Sequence, residues 1–225
     1  MPRSEATTDR LSRLDSCAVS DALDKLGLTG SVTGLERLSS DKKIVGRVLT
    51  VRLDRTVRST SEPGTSPPRH LCTAAIEAGG AGEIIVVEQR TGLDAAGWGG
   101  TLSLGASLRG LGGVIVEGPA RDIDESRELD FPVFARSHTT RTARGRIAEV
   151  ATNTTITVGD VQVSPRDYVI ADSTGVVFVR QEDVDQVLEA AEGISRREAA
   201  MAQALRDGRS ISQVMGASYE DMLKR

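Results

Sequence analysis

Cysteine, histidine and lysine are all scarce in this chain of 225 residues, and each scarcity removes a class of chemistry. Cys17, in an amphipathic helical pattern, and Cys72, in an alanine-rich segment, supply neither a disulfide framework nor a cysteine zinc site, and both read as small buried apolar groups. His70 and His138 are the only histidines, too few for a three-histidine zinc centre within one chain. None of the lysines, Lys25, Lys42, Lys43 and Lys224, lies in an apolar run where burial would lower its pKa toward Schiff-base chemistry. No apolar stretch approaches the roughly 18 residues of a membrane span. The first residues are polar without a signal-like apolar segment, so a cytoplasmic protein is expected. An excess of basic charge is missing too. With 28 basic against 32 acidic residues and a net charge of -4, the chain lacks the stripe that neutralises phosphates, which argues against a nucleic-acid partner.

What is present suits a folded domain, since 39% of residues are apolar and 27% charged. An enzyme built from this composition would use carboxylates, arginine and backbone N–H groups, around a hard metal ion that prefers oxygen ligands. Residues 7 to 27 have apolar side chains at helical spacing (Val19, Ala22, Leu23, Leu26) and a stop at Gly27, which predicts one helix. Lys43 to Leu53 alternates, which predicts a half-buried strand. Thr56 to Pro68 is a long Ser, Thr, Pro and Gly loop. Helices then alternate with short apolar runs at 84–87, 114–116 and 132–135, the pattern of strands covered on both faces. Short strands between 156 and 180 suggest a small barrel or curled sheet, and a long helix begins near Gln181. The fold class is α/β, with no linker between independent domains.

The stretch most informative about chemistry is Gly97-Trp98-Gly99-Gly100-Thr101-Leu102, followed further on by Arg121-Asp122-Ile123-Asp124-Glu125. A glycine turn that opens a helix exposes N–H groups able to hold an anion. Arg121 adds a fork for a carboxylate, and Asp122 is a hard oxygen ligand for Mg2+ or Mn2+. The plain alternative is a tight turn and a surface ion pair at a helix start.

With these blocks, the chain resembles the RraA-like family, which includes class II pyruvate aldolases acting on 4-hydroxy-4-methyl-2-oxoglutarate and 4-carboxy-4-hydroxy-2-oxoadipate. Val19-Ser20-Asp21-Ala22-Leu23, Trp98-Gly99-Gly100, Glu117 to Glu125 and Ser164 to Val177 carry the resemblance, in order along nearly the whole chain. It implies a swivelling β/β/α domain over residues 1–225, with 181–225 as a C-terminal helical extension, assembled as a homotrimer or hexamer with clefts between subunits. The family's aldolases carry a glycine, twenty residues, Arg-Asp, two residues and an acid, which here are Gly100, Arg121, Asp122 and Glu125. By that resemblance Arg121 binds the pyruvyl group, Asp122 ligates the metal, and N–H groups of Gly99, Gly100, Thr101 and Leu102 receive the carboxylate. Glu198 stands for the acid that a neighbour's C-terminal helix contributes. Relatives often have aspartate where this chain has Gly100 and where it has Glu117, and Gln89-Arg90 interrupts a stretch that is often glycine-rich.

The implied function is a divalent-metal-dependent carbon-carbon lyase that cleaves a 2-oxo acid to pyruvate through a stabilised enolate, as an aldolase, an oxaloacetate decarboxylase or both. The competing reading is a non-catalytic regulatory protein resembling the family members that inhibit ribonuclease E. His70 and His138 read as solvated, Trp98 as a core residue, and Ser20 and Asp21 as helix-face residues. Arg136, Arg141, Arg144 and Arg146 read as a solvated loop or an attractor for anions.

Overall fold

The computed structural model describes residues 2–56 and 70–216. The sequence 57–69, most of the expected Thr56–Pro68 loop, and residues 217–225 lie outside them. Where the sequence predicts one helix over 7–27, the chain forms two, α1 (Pro2–Ser12) and α2 (Ser16–Leu26). Asp15 interrupts them in an extended conformation, and its side chain accepts the Ala18 N–H at 2.8 Å, a cap that satisfies one of the free amides opening α2. Gly27, at φ 66°, closes α2 in the left-handed region.

Two short strands, β1 (Ser31–Val32) and β2 (Glu36–Arg37), lead into β3 (Ile44–Arg55). After β3 come α3 (Thr73–Ala78), β4 (Ile84–Gln89), α4 (Gly100–Leu108), β5 (Gly113–Ala120), α5 (Ile123–Glu128) and β6 (Val133–His138). Strands β3, β4, β5 and β6 are parallel neighbours, as expected for β-α-β connections. Next are β7 (Ile147–Thr152), β8 (Ile156–Val158), β9 (Val161–Val163), β10 (Tyr168–Ala171), β11 (Val176–Val179), α6 (Val184–Arg206) and α7 (Ile211–Val214).

Among the described residues nine strands join one sheet, in the order β1-β11-β10-β3-β4-β5-β6-β2, with β7 also paired to β3. The long β3 makes this possible by changing partner along its length. Its first residues pair antiparallel with β10, and Val51 to Arg55 pair antiparallel with β7, with a register shift between Arg52 and Leu53. The expected barrel at 156–180 is therefore divided: β8 and β9 form a separate hairpin, while β10 and β11 extend the main sheet. β1, β2 and β7 are additions that short sequence patterns did not announce.

Alternation along β4 sends Ile85 and Val87 into one core with Trp98, Leu102, Val114 and Val116, and Ile84 and Val86 into another with Phe134, Ile156 and Val163. With both faces covered, the first part of β3 is more buried than the half-buried strand expected: Val48 lies in one core and Val51 and Leu53 in the other. A third core packs α1, α2 and α6 on Tyr168, Ile170, Val177 and Val179. Val184, Val187, Leu188 and Ala191 are the buried stripe of α6, as their spacing predicts. Cys72 is buried as expected; Cys17 is exposed, because it lies on the face of α2 opposite Ala18, Val19 and Ala22.

Candidate active site

Parallel strands end on one edge of a sheet, so the segments that follow β4, β5 and β6 gather there, the place where open α/β sheets bind ligands. The Gly97–Gly100 turn follows β4, and Arg121-Asp122 follows β5. Backbone pairing brings them together: the Gly97 N–H donates to Pro119 O at 2.9 Å and the Arg121 N–H to Trp98 O at 3.0 Å, with Trp98 bridged to Ala120. Gly99 then caps α4, and Asp122, held at φ 55° and ψ 43°, turns the chain into α5.

The result is a convergence on one carboxylate oxygen. Asp122 Oδ2 accepts the Gly100 N–H at 3.1 Å and lies 3.2 Å from Arg121 Nε. Over Gly100 sits Glu125: a Cβ at position 100 would come within 1.7 Å of Glu125 Oε2 and 3.1 Å of Asp122 Cβ. A Cβ on Gly99 would meet Asp122 Oδ2 at 2.8 Å. Both glycines are there because α5 presses its acids against the start of α4.

A buried polar chain fixes the two helices. Trp98 Nε1 donates to Ser103 Oγ at 2.9 Å, Ser103 Oγ pairs with Ser126 Oγ at 2.9 Å, and the Ser126 hydroxyl donates to Asp122 O at 3.4 Å. Trp98 is a core residue, stacked on Phe131 with 6.3 Å between ring centroids. Gln89, at the interruption noted in the sequence, donates its side-chain amide to Leu93 O and Ala95 O and so shapes the segment leading to the turn. The Cys72 N–H donates to Glu149 Oε2 at 2.6 Å, which ties the start of α3 to β7. Burial, and then the nearby Glu149 charge, push the Cys72 thiol well above its ordinary pKa, so it is an inert core residue.

Two cavities meet at Arg121 and Asp122. The smaller, about 90 Å³, has Leu71, Ala96, Trp98 and Leu102 as apolar lining, with His70, Thr101 and Thr142 among its polar residues. The larger, about 640 Å³, is lined by residues 121–125 and 138–140. Both histidines, read as solvated from the sequence, are exposed, and each lines one of these cavities. Of the basic cluster, Arg136 has a structural place, gripping Glu117 at 2.8 Å, while Arg141 and Arg146 hold the 139–146 segment through Asp94 and Thr142 O.

The structure thus unites Gly99, Gly100, Thr101, Leu102, Arg121, Asp122 and Glu125. The amides that open α4 are not all equivalent, however. That of Gly100 is engaged by Asp122 and that of Leu102 by Gly99 O, which leaves the Gly99 and Thr101 amides without a partner among the described residues. Glu198 lines neither cavity in its own chain. It stands on α6, where burial, and then Asp15 and Asp21, raise its pKa; Asp21 is raised by burial, Asp24 and Asp15. Ser103, Ser126 and Glu149 were missed in the sequence, where a serine inside a helix carries no mark of its partner. Among the described residues no three His, Cys, Asp or Glu side chains form a closed metal cage.

The sequence model of the RraA-like family (Aldolase/RraA) matches residues 16–178, a span that holds this whole edge of the sheet. Among similar proteins is DlpA of Legionella pneumophila, 24% identical over 210 residues; the match covers 91% of this chain and only 32% of DlpA. A Halalkalibacterium halodurans protein provisionally named 4-hydroxy-4-methyl-2-oxoglutarate aldolase is 27% identical over 194 residues, 86% of each chain. Streptomyces coelicolor RraAS2, described as an unusual member of the RNase ES inhibitor RraA family, shares the fold with a TM-score of 0.75 at 23% identity, over 86% of this chain and 94% of its own. With the family pattern spanning the sheet edge, the glycine turn and the Arg-Asp pair, the chain belongs to the RraA-like family.

Proposed function

We propose that the protein is a divalent-metal-dependent carbon-carbon lyase that cleaves a 2-oxo acid to pyruvate. The observation that carries this reading is the convergence of the Gly100 N–H and Arg121 on Asp122 Oδ2, between two cavities. Asp122 suits Mg2+ or Mn2+: it is one hard, oriented carboxylate whose side chain is 32% exposed, and such ions take one or two protein carboxylates and fill their remaining positions with water and substrate. When bound there, the ion would polarise the 2-keto oxygen and offset negative charge as the bond breaks.

This chain's residues would do the rest. The Arg121 guanidinium orients the 2-oxo acid and lies where enolate charge builds up. The Thr101 amide receives the carboxylate at the start of α4. In aldol cleavage the C3–C4 bonding pair passes to C3, giving the enolate of pyruvate, while the C4 hydroxyl loses its proton and becomes the carbonyl of the departing half. Glu125, held over Gly100 and lining the larger cavity, is placed to take that proton. Protonation at C3 completes pyruvate. Oxaloacetate yields the same enolate with carbon dioxide as the departing half. The working assembly is a homotrimer or hexamer in which Glu198 of a neighbour reaches the site.

Pyruvate release from oxaloacetate and from 4-hydroxy-4-methyl-2-oxoglutarate, with Mg2+ or Mn2+ and after chelation, tests the proposal. Asp122→Asn, which keeps the left-handed backbone tolerable, is expected to lower kcat/KM by roughly 100-fold or more with little change in folding. Metal-independent inactivity on both acids would instead support the regulatory reading, which the likeness to RraAS2 keeps in view.

A further inference from the structure

We propose that the larger cavity is the subsite for the departing half of the substrate, and that His138, with Thr139 and Thr140, recognises the carboxylate which that half carries. The inference rests on the lyase reading above and adds to it a residue that selects among 2-oxo acids by the fragment that departs.

The reacting bond has to lie over Arg121 and Asp122, because charge develops there and these are the groups placed to meet it. Those two residues form the ridge shared by the cavities, so the two halves of the substrate fall on opposite sides. The small cavity, walled by Trp98 and Leu102, suits the three-carbon pyruvyl half, while the large one offers room and the side chains of His138, Thr139 and Thr140.

The sheet sets the position of His138. Residues Ala120 and His138 are paired across β5 and β6, and the Thr139 N–H donates to Ala120 O at 2.9 Å, so the imidazole is carried beside the residue that precedes Arg121. Its ring makes no hydrogen bond or ion pair with any described residue. Asp124 is engaged by Arg127 at 2.6 Å, and Glu125 is packed over Gly100. Apart from Arg121, His138 is the side chain lining that cavity able to offer N–H donors to an anion, and the threonine hydroxyls add neutral donors.

The two substrates separate this proposal from the reading beneath it. With metal-loaded enzyme, kcat and KM are measured for 4-hydroxy-4-methyl-2-oxoglutarate, whose departing half is pyruvate, and for oxaloacetate, whose departing half is carbon dioxide. His138→Ala is expected to lower kcat/KM for the hydroxy diacid about tenfold more than for oxaloacetate, chiefly by raising KM, and His138→Arg to recover part of the loss. Equal losses on both substrates, or none on either, would overturn the subsite while leaving the lyase intact. A native protein inactive on both acids sinks the lyase and the subsite together. Because His138 is exposed at a strand end, unchanged thermal melting of both variants is the folding control.

Discussion

Between Gly100 and Glu125 there is no space for a single methyl group. Placing a Cβ 1.7 Å from Glu125 Oε2 forces that carboxylate off the start of α4. Because the atom struck is the free end of an exposed side chain, Gly100→Ala is expected to turn Glu125 aside and to cost no more than about 1 kcal/mol in urea unfolding. The same substitution in a Glu125→Ala background should cost much less, because the atom it strikes is gone. If the two effects simply add, the proposed contact is wrong. The sequence shows that glycines make this turn; it does not show which residue demands them. That residue lies 25 positions further on, and proximity across the sheet edge is a product of β4 and β5 lying side by side.

At the scale of elements, the start of α2 is fastened to the β10–β11 turn by one side chain. Asp172 accepts the Ser16 N–H at 2.8 Å, the Ser16 hydroxyl at 2.7 Å and the Thr174 N–H at 2.9 Å. Burial pushes its pKa up, but these donors, with the Gly175 N–H, outweigh burial and hold it below the ordinary aspartate value. A carboxyl depressed in the folded state contributes stability above its unfolded pKa and loses it as pH falls through the folded one. Stability measured by denaturant should thus fall below about pH 4 partly through this group, and Asp172→Asn should flatten that acid limb. An unchanged limb would assign the acid sensitivity elsewhere. Asp15-Ser16 is a legible helix start, yet the apolar spacing continues on both sides of it, and periodicity alone predicted one helix instead of two. Serines 103 and 126 show the opposite limit: their spacing is helical, but their roles follow from Trp98 and from each other.

For the molecule as a whole, α6 carries Glu198 against Asp15 and Asp21, where burial and like charge disfavour its ionised form. An acid raised in the folded state favours folding most at low pH and opposes it increasingly as pH rises through its unfolded and then its folded pKa. Glu198→Gln should accordingly raise the melting temperature at pH 7 and low salt. If Glu198 also serves a neighbour's site, mixing inactive Arg121→Ala subunits with Glu198→Gln subunits should restore part of the pyruvate-forming activity, because some interfaces then hold both native residues. A mixture no more active than the sum of its parts would remove Glu198 from the site.

Composition and local pattern determined the class of fold and the side chains on hand for chemistry. Paired faces of apolar residues specify covered strands, glycine and aspartate specify where elements begin and stop, and a shortage of cysteine, histidine and lysine leaves carboxylate, arginine and amide. The family blocks named the candidate residues. Tertiary structure alone decided how they meet: that β3 serves two antiparallel partners, that Trp98 bridges to Ala120, that Glu125 lies over Gly100 and that the histidines line separate cavities. The physical reason is range. Backbone propensity and periodicity act over a few neighbouring residues, whereas contacts across a sheet edge arise only once distant strands have paired.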